Sequence, residues 1–495
     1  MILKRTFACL CLLLAGLAVT AQERPKLVVG VVVDQMRWDY LYRYYDLYGE
    51  GGFKRLMNEG FNCENTMINY IPSITAVGHT SVYTGSVPSI HGIVGNHFFV
   101  DGKYGYCAAD STVKTVGSNS TVGQMSPRKL LSTTIGDELK IATGFKSKVV
   151  GVALKDRAAI MPAGHSADAA YWIDGKAGRF VTSTYYMQEL PAWAERFNST
   201  IGNVTNEDIW NTSLGNRLTA GMAQAAVEGE RLGMGEGTDM LTVSFSCTDV
   251  LGHRYGTHSD KVRDIYLDVD RRLAGFMSFL DEKVGKGQYL LFLTADHGAA
   301  NGIKMLQSRK IPADGFMIKS EMKAINDHLA VRFATQERLV SMIMDYKVCI
   351  DREAAARAGA SYADVKAEIM RFYAGRKNIA YVIDLENVAA ATVPAVIREK
   401  TINGYNRLRG GDVQLIMQPA HYDVWADEIG DGTTHGTWNP YDAHIPFLLT
   451  GWHVPHGSTT AQTYITDIAA TVCALIHVQM PNGCIGTPVT RITDR

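Results

Sequence analysis

The sequence predicts an α/β protein built on an open, doubly wound, mostly parallel sheet, with an α+β insertion toward its C-terminal end. Three observations carry that prediction. Four apolar runs, residues 26–33, 147–154, 240–246 and 288–293, are near-continuous rather than alternating, as strands covered on both faces are. Each gives way within a few residues to a charged side chain: Asp34, Lys155, Asp249 and Asp296. Between the third and fourth runs, Val262, Ile265, Val269, Leu273, Phe276 and Leu280 recur at steps of three and four, which makes one apolar face of a helix over 261–284.

The elements follow in chain order. Lys4 and Arg5 precede an apolar run over 7–19, and Ala21 closes a small-residue site, so residues 1–21 read as a secretory signal peptide and the mature chain as 22–495. The run is short for a membrane span. A periplasmic or secreted protein with no stable membrane anchor after cleavage is therefore expected. Two of the eight cysteines, Cys9 and Cys11, leave with the signal. The remaining six, Cys63, Cys107, Cys247, Cys349, Cys473 and Cys484, allow up to three disulfides, and Cys473 and Cys484 are near enough in sequence to pair. No Cys-x-x-Cys follows the signal, which argues against a thiolate zinc cluster. A chain of 495 residues with 46% hydrophobic and 20% charged residues is globular and exceeds one ordinary core. Its formal net charge of −1 gives no overall field for nucleic acid or an anionic membrane.

After the strand at 26–33, residues 38–59 mix aromatic and polar side chains at helical spacing and stop at Gly60. The stretch Pro72-Ser73-Ile74-Thr75-Ala76-Val77-Gly78-His79 follows, then a Gly-rich loop, Gly92-Ile93-Val94-Gly95-Asn96-His97. Residues 166–235 show turn signals and no clean period. Residues 320–430 alternate helical segments (319–333, 361–373) with short strands such as 413–417, and read as an α+β cap-like insertion. A last core strand is expected at 445–450 and a closing helix at 466–476. In open α/β sheets ligands sit beyond the carboxyl ends of the strands, which places Asp34, Asp249 and Asp296 on one rim.

The chemistry-bearing residues gather on that rim. Asp249-Val-Leu-Gly-His253 and Asp296-His297 each join a carboxylate to an imidazole at a strand end, and His435 stands in Thr433-Thr434-His435-Gly436-Thr437. Oxygen and nitrogen donors without thiolate suit zinc, with manganese or iron as alternatives. A Thr before an apolar run is commonly a helix cap. Near such donors, the Thr75 hydroxyl becomes a candidate metal-activated nucleophile at an anion-receiving helix start. Lys155 and Arg157 lie two apart, so in extended chain they face the same way and could grip a phosphoryl dianion. Asn96 could donate a further hydrogen bond.

Taken together, these motifs resemble the alkaline phosphatase superfamily of two-metal phosphate-transfer enzymes. They are most similar to the monomeric secreted, phosphate-irrepressible alkaline phosphatases, which are related to the nucleotide pyrophosphatase/phosphodiesterases. The resemblance spans Val31 to Pro446 in the family's order. It implies two Zn²⁺ per chain, one held by Asp249, His253 and His435, the other by Asp34, Asp296, His297 and the Thr75 oxygen. It implies a phosphothreonine intermediate on Thr75, and non-bridging phosphate oxygens contacted by Asn96, Lys155 and Arg157. The expected activity is hydrolysis of small-molecule phosphate monoesters with broad specificity, by a monomer. A phosphodiesterase or nucleotide pyrophosphatase on the same metals is the first alternative. It is disfavoured by the Lys155/Arg157 pair, which diesterases of the superfamily lack. A sulfatase lacks support because Thr75-Ala76-Val77-Gly78-His79 stands where that family has Cys-x-Pro-x-Arg. No Gly-x-Ser-x-Gly elbow points to a metal-free serine hydrolase. A non-catalytic exported binding protein on a phosphatase scaffold would be expected to have lost ligands or nucleophile, and every such position is filled.

Overall fold

The structure is a computed structural model that describes residues 23–100 and 102–494. The segment read as a signal peptide lies outside the described residues. The large sheet has ten strands: β1 (Leu27–Val33), β2 (Phe61–Cys63), β3 (Thr115–Val116), β4 (Val149–Ala153), β5 (Ala169–Asp174), β6 (Arg179–Ser183), β7 (Asp239–Phe245), β8 (Tyr289–Thr294), β9 (Phe447–Gly451) and β10 (Gly457–Thr459). Their spatial order is β10-β2-β9-β8-β1-β7-β4-β5-β6-β3.

The centre, β8-β1-β7-β4-β5, is parallel throughout. Antiparallel strands flank it: β9 pairs β8 on one side and β6 pairs β5 on the other. β1 is buried along its whole length, and so are β7 and β8. That is why these runs are apolar without alternation. Register aligns the carboxyl ends: Val33 lies opposite Phe245, Val32 opposite Thr294, and Ser244 opposite Ala153. The chain therefore delivers Asp34, Lys155, Asp249 and Asp296 to one edge.

Several sequence expectations shift. Residues 38–59 are not one helical stretch. A turn of helix (Tyr40–Arg43) and a 3₁₀ turn (Tyr45–Leu47) precede the helix Phe53–Glu59. Asp270 accepts the backbone N–H groups of Gly49 and Phe53 across that break. The 166–235 region contains an 18-residue helix, Ser213–Glu230. Its buried face is made of Gly215, Asn216, Thr219, Ala220, Ala223 and Ala226 beside few large apolar residues, so its period is faint. The expected 445–450 strand starts only at Phe447, after Pro446; Ile445 pairs instead with Thr66. The six cysteines from Cys63 onward are free thiols, Cys473 and Cys484 included.

Inserted between β8 and β9 in the chain is a second, four-stranded sheet made from Val340–Met344, Lys347–Ile350, Val413–Met417 and Ile379–Asp384. It carries its own apolar cluster, drawn from residues between Ala300 and Tyr422. The helix Ala395–Gly404 docks this unit onto the segment just before Thr75: Ile71 N–H donates to Lys400 O, and Asn403 Nδ2 to Asn69 O. Gly404 allows the contact, since a Cβ there would lie 1.6 Å from Ile71 O.

Candidate active site

Three helices carry the site residues that follow the strands: α1 (Thr75–Thr84), α2 (Asp156–Ala163) and α3 (Cys247–Tyr255). Thr75 is the first residue of α1, after Ile74, rather than its cap, and it is buried. The helix is buried along its full length. Gly78 brings it against the end of β8, because a Cβ at that position would lie 2.1 Å from Asp296 O. The Thr75 hydroxyl thus sits 3.5 Å from His297 Nε2.

The predicted donors converge. Asp249 and His253 are one turn apart on α3, with His253 Nε2 3.1 Å from Asp249 Oδ1, and His435 Nε2 3.7 Å from the same oxygen. His297 Nε2 lies 3.4 Å from Asp296 Oδ2 and 3.6 Å from Asp34 Oδ1. Ligand atoms of Asp34, Asp296 and His297 all fall within 4.8 Å of one another, as do those of Asp249, His297 and His435. The rings of His297 and His435 stack at 3.5 Å between the two groups.

Each of these three imidazoles turns its Nδ1 to a backbone carbonyl: His253 to Thr433, His297 to Gly298, and His435 to Ser73. That contact fixes Nδ1 as the protonated nitrogen and leaves Nε2 as a lone pair facing the centre. Burial, with His297 and His253 alongside, holds His435 well below the usual imidazole range. Burial likewise lowers His297. His253 differs: Asp249 outweighs its burial and raises it.

The carboxylates also fit a cation centre. Asp34 Oδ1 is buried and accepts no hydrogen bond, and Asp296 Oδ2 is buried with His79 Nδ1 3.1 Å away. Burial and the neighbouring Asp296 push Asp34 well above the carboxylate range. Burial opposes ionisation of Asp249 too, but His253 and Lys155 hold it well below that range. Buried carboxylate oxygens gathered against the Nε2 atoms of His297 and His435 are what a divalent cation satisfies.

Lys155 and Arg157 depart from the extended-chain expectation. Lys155 caps α2 and Arg157 lies inside it, so their side chains diverge. The Lys155 ammonium donates to Asp34 Oδ2 and Asp249 Oδ2, at 2.6 Å each, and so ties one donor group to the other. Asp249 and Asp34 outweigh its burial and keep it protonated. Arg157 faces the pocket and donates to the Tyr106 hydroxyl at 3.1 Å, which in turn donates to Asp156. Asn96 Oδ1 accepts the N–H of Ala76 at 3.0 Å. That assignment turns the Asn96 NH₂ toward the pocket.

His79, which lies in the Thr75 stretch, is structural: its Nδ1 lies 3.1 Å from Asp296 Oδ2 and its Nε2 2.8 Å from Ser244 Oγ. His91 faces Ser81 inside the same region. Gln35 was not singled out by sequence. Its side chain donates to Asp249 Oδ1 and its backbone to Asp296 Oδ1. No sequence pattern marks it; the contact is made possible by Gly252, where a Cβ would collide with Gln35 Oε1.

The sequence model of the family described as Type I phosphodiesterase / nucleotide pyrophosphatase matches residues 28–438. The chain belongs to that family. It is 42% identical to alkaline phosphatase PafA of Elizabethkingia meningoseptica, over 96% of each chain. It is 43% identical to alkaline phosphatase PhoV of Synechococcus elongatus, over 94% of this chain and 92% of that one. It is also 43% identical to a Myroides odoratus protein named calcium-transporting ATPase, over 99% of this chain and 98% of the other. The crystal structure of wild-type PafA superposes with a TM-score of 0.92 over 96% of this chain and 100% of that one, at 42% identity. The fold is that of the alkaline phosphatases, and the protein is an enzyme of that type.

Proposed function

We propose that the protein hydrolyses small phosphate monoesters with the Thr75 hydroxyl as nucleophile, in a centre that holds two zinc ions. The observation that carries the reading is the convergence of three imidazole Nε2 atoms and the buried carboxylates of Asp34, Asp249 and Asp296 beside that hydroxyl. Asp249, His253 and His435 would hold one ion. Asp34, Asp296, His297 and the Thr75 oxygen would hold the other. The donor set has nitrogen and oxygen and no thiolate, which suits zinc. Bound there, the ions would favour the ionised hydroxyl and offset charge on the leaving oxygen.

The chain's own residues do the rest. Helix α1 presents Thr75 from a rigid, buried turn, so little reorientation precedes attack. The Asn96 NH₂ and the Arg157 guanidinium supply donors to non-bridging oxygens. Lys155 adds positive charge behind them. A monoester carries one more negative charge than a diester, so these groups favour the monoester. Residues 22–495 form the catalytic unit in this reading, with 320–430 as a cap over the rim. The protein works outside the cytoplasm as a monomer, after removal of residues 1–21.

A diesterase on the same centre is the second reading, favoured by the description of the matching family. The name of the Myroides relative adds ATP to the substrates worth testing. No helix among the described residues is long and apolar enough to cross a membrane. The test is kcat/KM of the zinc-loaded protein for a phosphate monoester and for its methyl diester with the same leaving group. A strong monoester preference supports the proposal. A diester preference keeps the centre and moves the protein to the second reading.

A further inference from the structure

The catalytic pocket, a cavity of about 700 Å³, has two unlike walls. Asn96, Tyr106, Arg157, His253 and His435 line the inner one. A turn of the second sheet, the separate strand His421–Val424 and the loop after it supply the outer one, with Asp345, Tyr422, Asp423, Trp425 and Glu428. A phosphoryl group bound at the inner wall directs whatever it is esterified to toward the outer wall. That outer wall is anionic and aromatic.

Asp345 is the odd member. It stands with Tyr346 in the two-residue turn between Val340–Met344 and Lys347–Ile350. Both residues have left-handed backbone, φ 51° and 60°, where glycine or asparagine is usual. Tyr346 holds the turn in place: its ring is buried and its hydroxyl donates to Asp423 Oδ1 at 2.7 Å. Asp423 Oδ2 accepts the Trp425 indole N–H at 2.8 Å, so the same carboxylate fixes the aromatic face of the wall. Both Asp423 oxygens are thereby engaged. The Asp345 carboxyl, in contrast, has no hydrogen bond or close ion pair among the described residues; burial pushes it up to about 7 against the pull of Lys347, so it is ionised above that pH. It lies beside Gly95, at the border between the two walls: a Cβ on Gly95 would be 2.8 Å from Asp345 Oδ2. The basic groups around it are Arg157, His97 and His253 across the pocket, His97 being held toward its neutral form by burial and Arg157, with Arg409 and Lys347 on the other side of the turn, where the Lys347 ammonium donates to Val94 O.

We propose that Asp345 reads the charge of the leaving group, and that the pocket favours phosphate monoesters of cationic alcohols over those of anionic alcohols. The inference rests on the monoesterase reading above and names the substrate class of that same site. An ammonium group on the leaving alcohol meets an unpartnered carboxylate and an indole face. A carboxylate or second phosphate there meets Asp345, Asp423 and Glu428.

The test compares kcat/KM of the zinc-loaded protein at about pH 9, where the Asp345 carboxyl is ionised and the substrate amine still protonated, for aminoethyl, hydroxyethyl and carboxymethyl phosphate, before and after Asp345→Asn. Asparagine accepts left-handed backbone, so the turn is preserved while the charge is removed. Normalised to hydroxyethyl phosphate, Asp345→Asn is expected to lower the aminoethyl value about tenfold and raise the carboxymethyl value by a similar factor, the worth of one charge pair in a partly solvated pocket. A purely structural effect moves all three together and leaves the normalised values unchanged, which would overturn the inference while leaving the monoesterase reading intact. If none of the three esters is turned over, the monoesterase reading fails and the inference with it. A second measurement needs no variant. In the unaltered protein, raising ionic strength should reduce the aminoethyl-to-carboxymethyl ratio several-fold; a ratio indifferent to salt would also overturn the inference.

Discussion

Tyr106→Phe removes one oxygen atom and tests how Arg157 is held. In the structure the Tyr106 hydroxyl accepts from Arg157 Nη1 at 3.1 Å and donates to Asp156, whose Oδ1 also accepts the Arg157 backbone N–H. Arg157 Nε has no acceptor. The phenol is thus the side-chain contact that orients the guanidinium. A hydrogen bond to a charged group is worth about 1.5–3 kcal/mol, so its loss should lower kcat/KM for a nitrophenyl phosphate monoester by roughly tenfold to a hundredfold. The loss should be smaller for the methyl diester, which has less charge to grip. The assay is a double-mutant cycle with Arg157→Ala. If Tyr106 acts through Arg157, adding Tyr106→Phe to Arg157→Ala costs less than about twofold more. The full single-variant loss in the Arg157→Ala background would refute the argument.

Three further outcomes follow from the same geometry. Exhaustive chelation should abolish turnover and lower the thermal unfolding temperature, because Asp34, Asp249 and Asp296 then lack their cations; added zinc should restore both, and full activity after chelation would contradict the metal assignment. Gly78→Ala places a Cβ 2.1 Å from Asp296 O, which must push α1 away from β8; a displacement near 1 Å at Thr75 predicts about a hundredfold loss in kcat, read by steady-state kinetics on folded protein. Asp442 is fully buried, and its Oδ2 accepts from Thr437 N–H and hydroxyl while burial pushes it up from 3.8 to about 7. A raised folded pKa means that its stabilising contribution is present at low pH and is lost as pH rises through about 7. Asp442→Asn should therefore gain about 2.5 kcal/mol relative to the parent between pH 5 and pH 8 in denaturant titrations, and a constant difference would contradict the shift.

The central strands β1, β4, β7 and β8 were legible because they are buried on both faces and so carry uninterrupted apolar runs; β5, which lies in the 166–235 stretch, was not read. The rim positions of Asp34, Asp249 and Asp296 were legible because each lies within a few positions of a strand end, where short-range spacing survives. What escaped depends on contacts distant in sequence. The direction of Lys155 is set by Asp34 and Asp249, 121 and 94 residues away. Tyr106 reaches Arg157 across 51 residues from an unremarkable hairpin. The helix Ser213–Glu230 packs through small and polar side chains, which weakens its period. Asp345 and Tyr346 escaped because a left-handed turn of two non-glycine residues has no sequence mark; only the Tyr346–Asp423 contact reveals why it persists.

The most direct test of the account is to acid-quench the zinc-loaded protein during turnover of a phosphate monoester and locate covalent phosphate by peptide mass spectrometry. The account predicts a phosphoryl group on Thr75, absent in Thr75→Ala, which should fold normally and lose turnover. Phosphate on another residue, or undiminished turnover by Thr75→Ala, would contradict it.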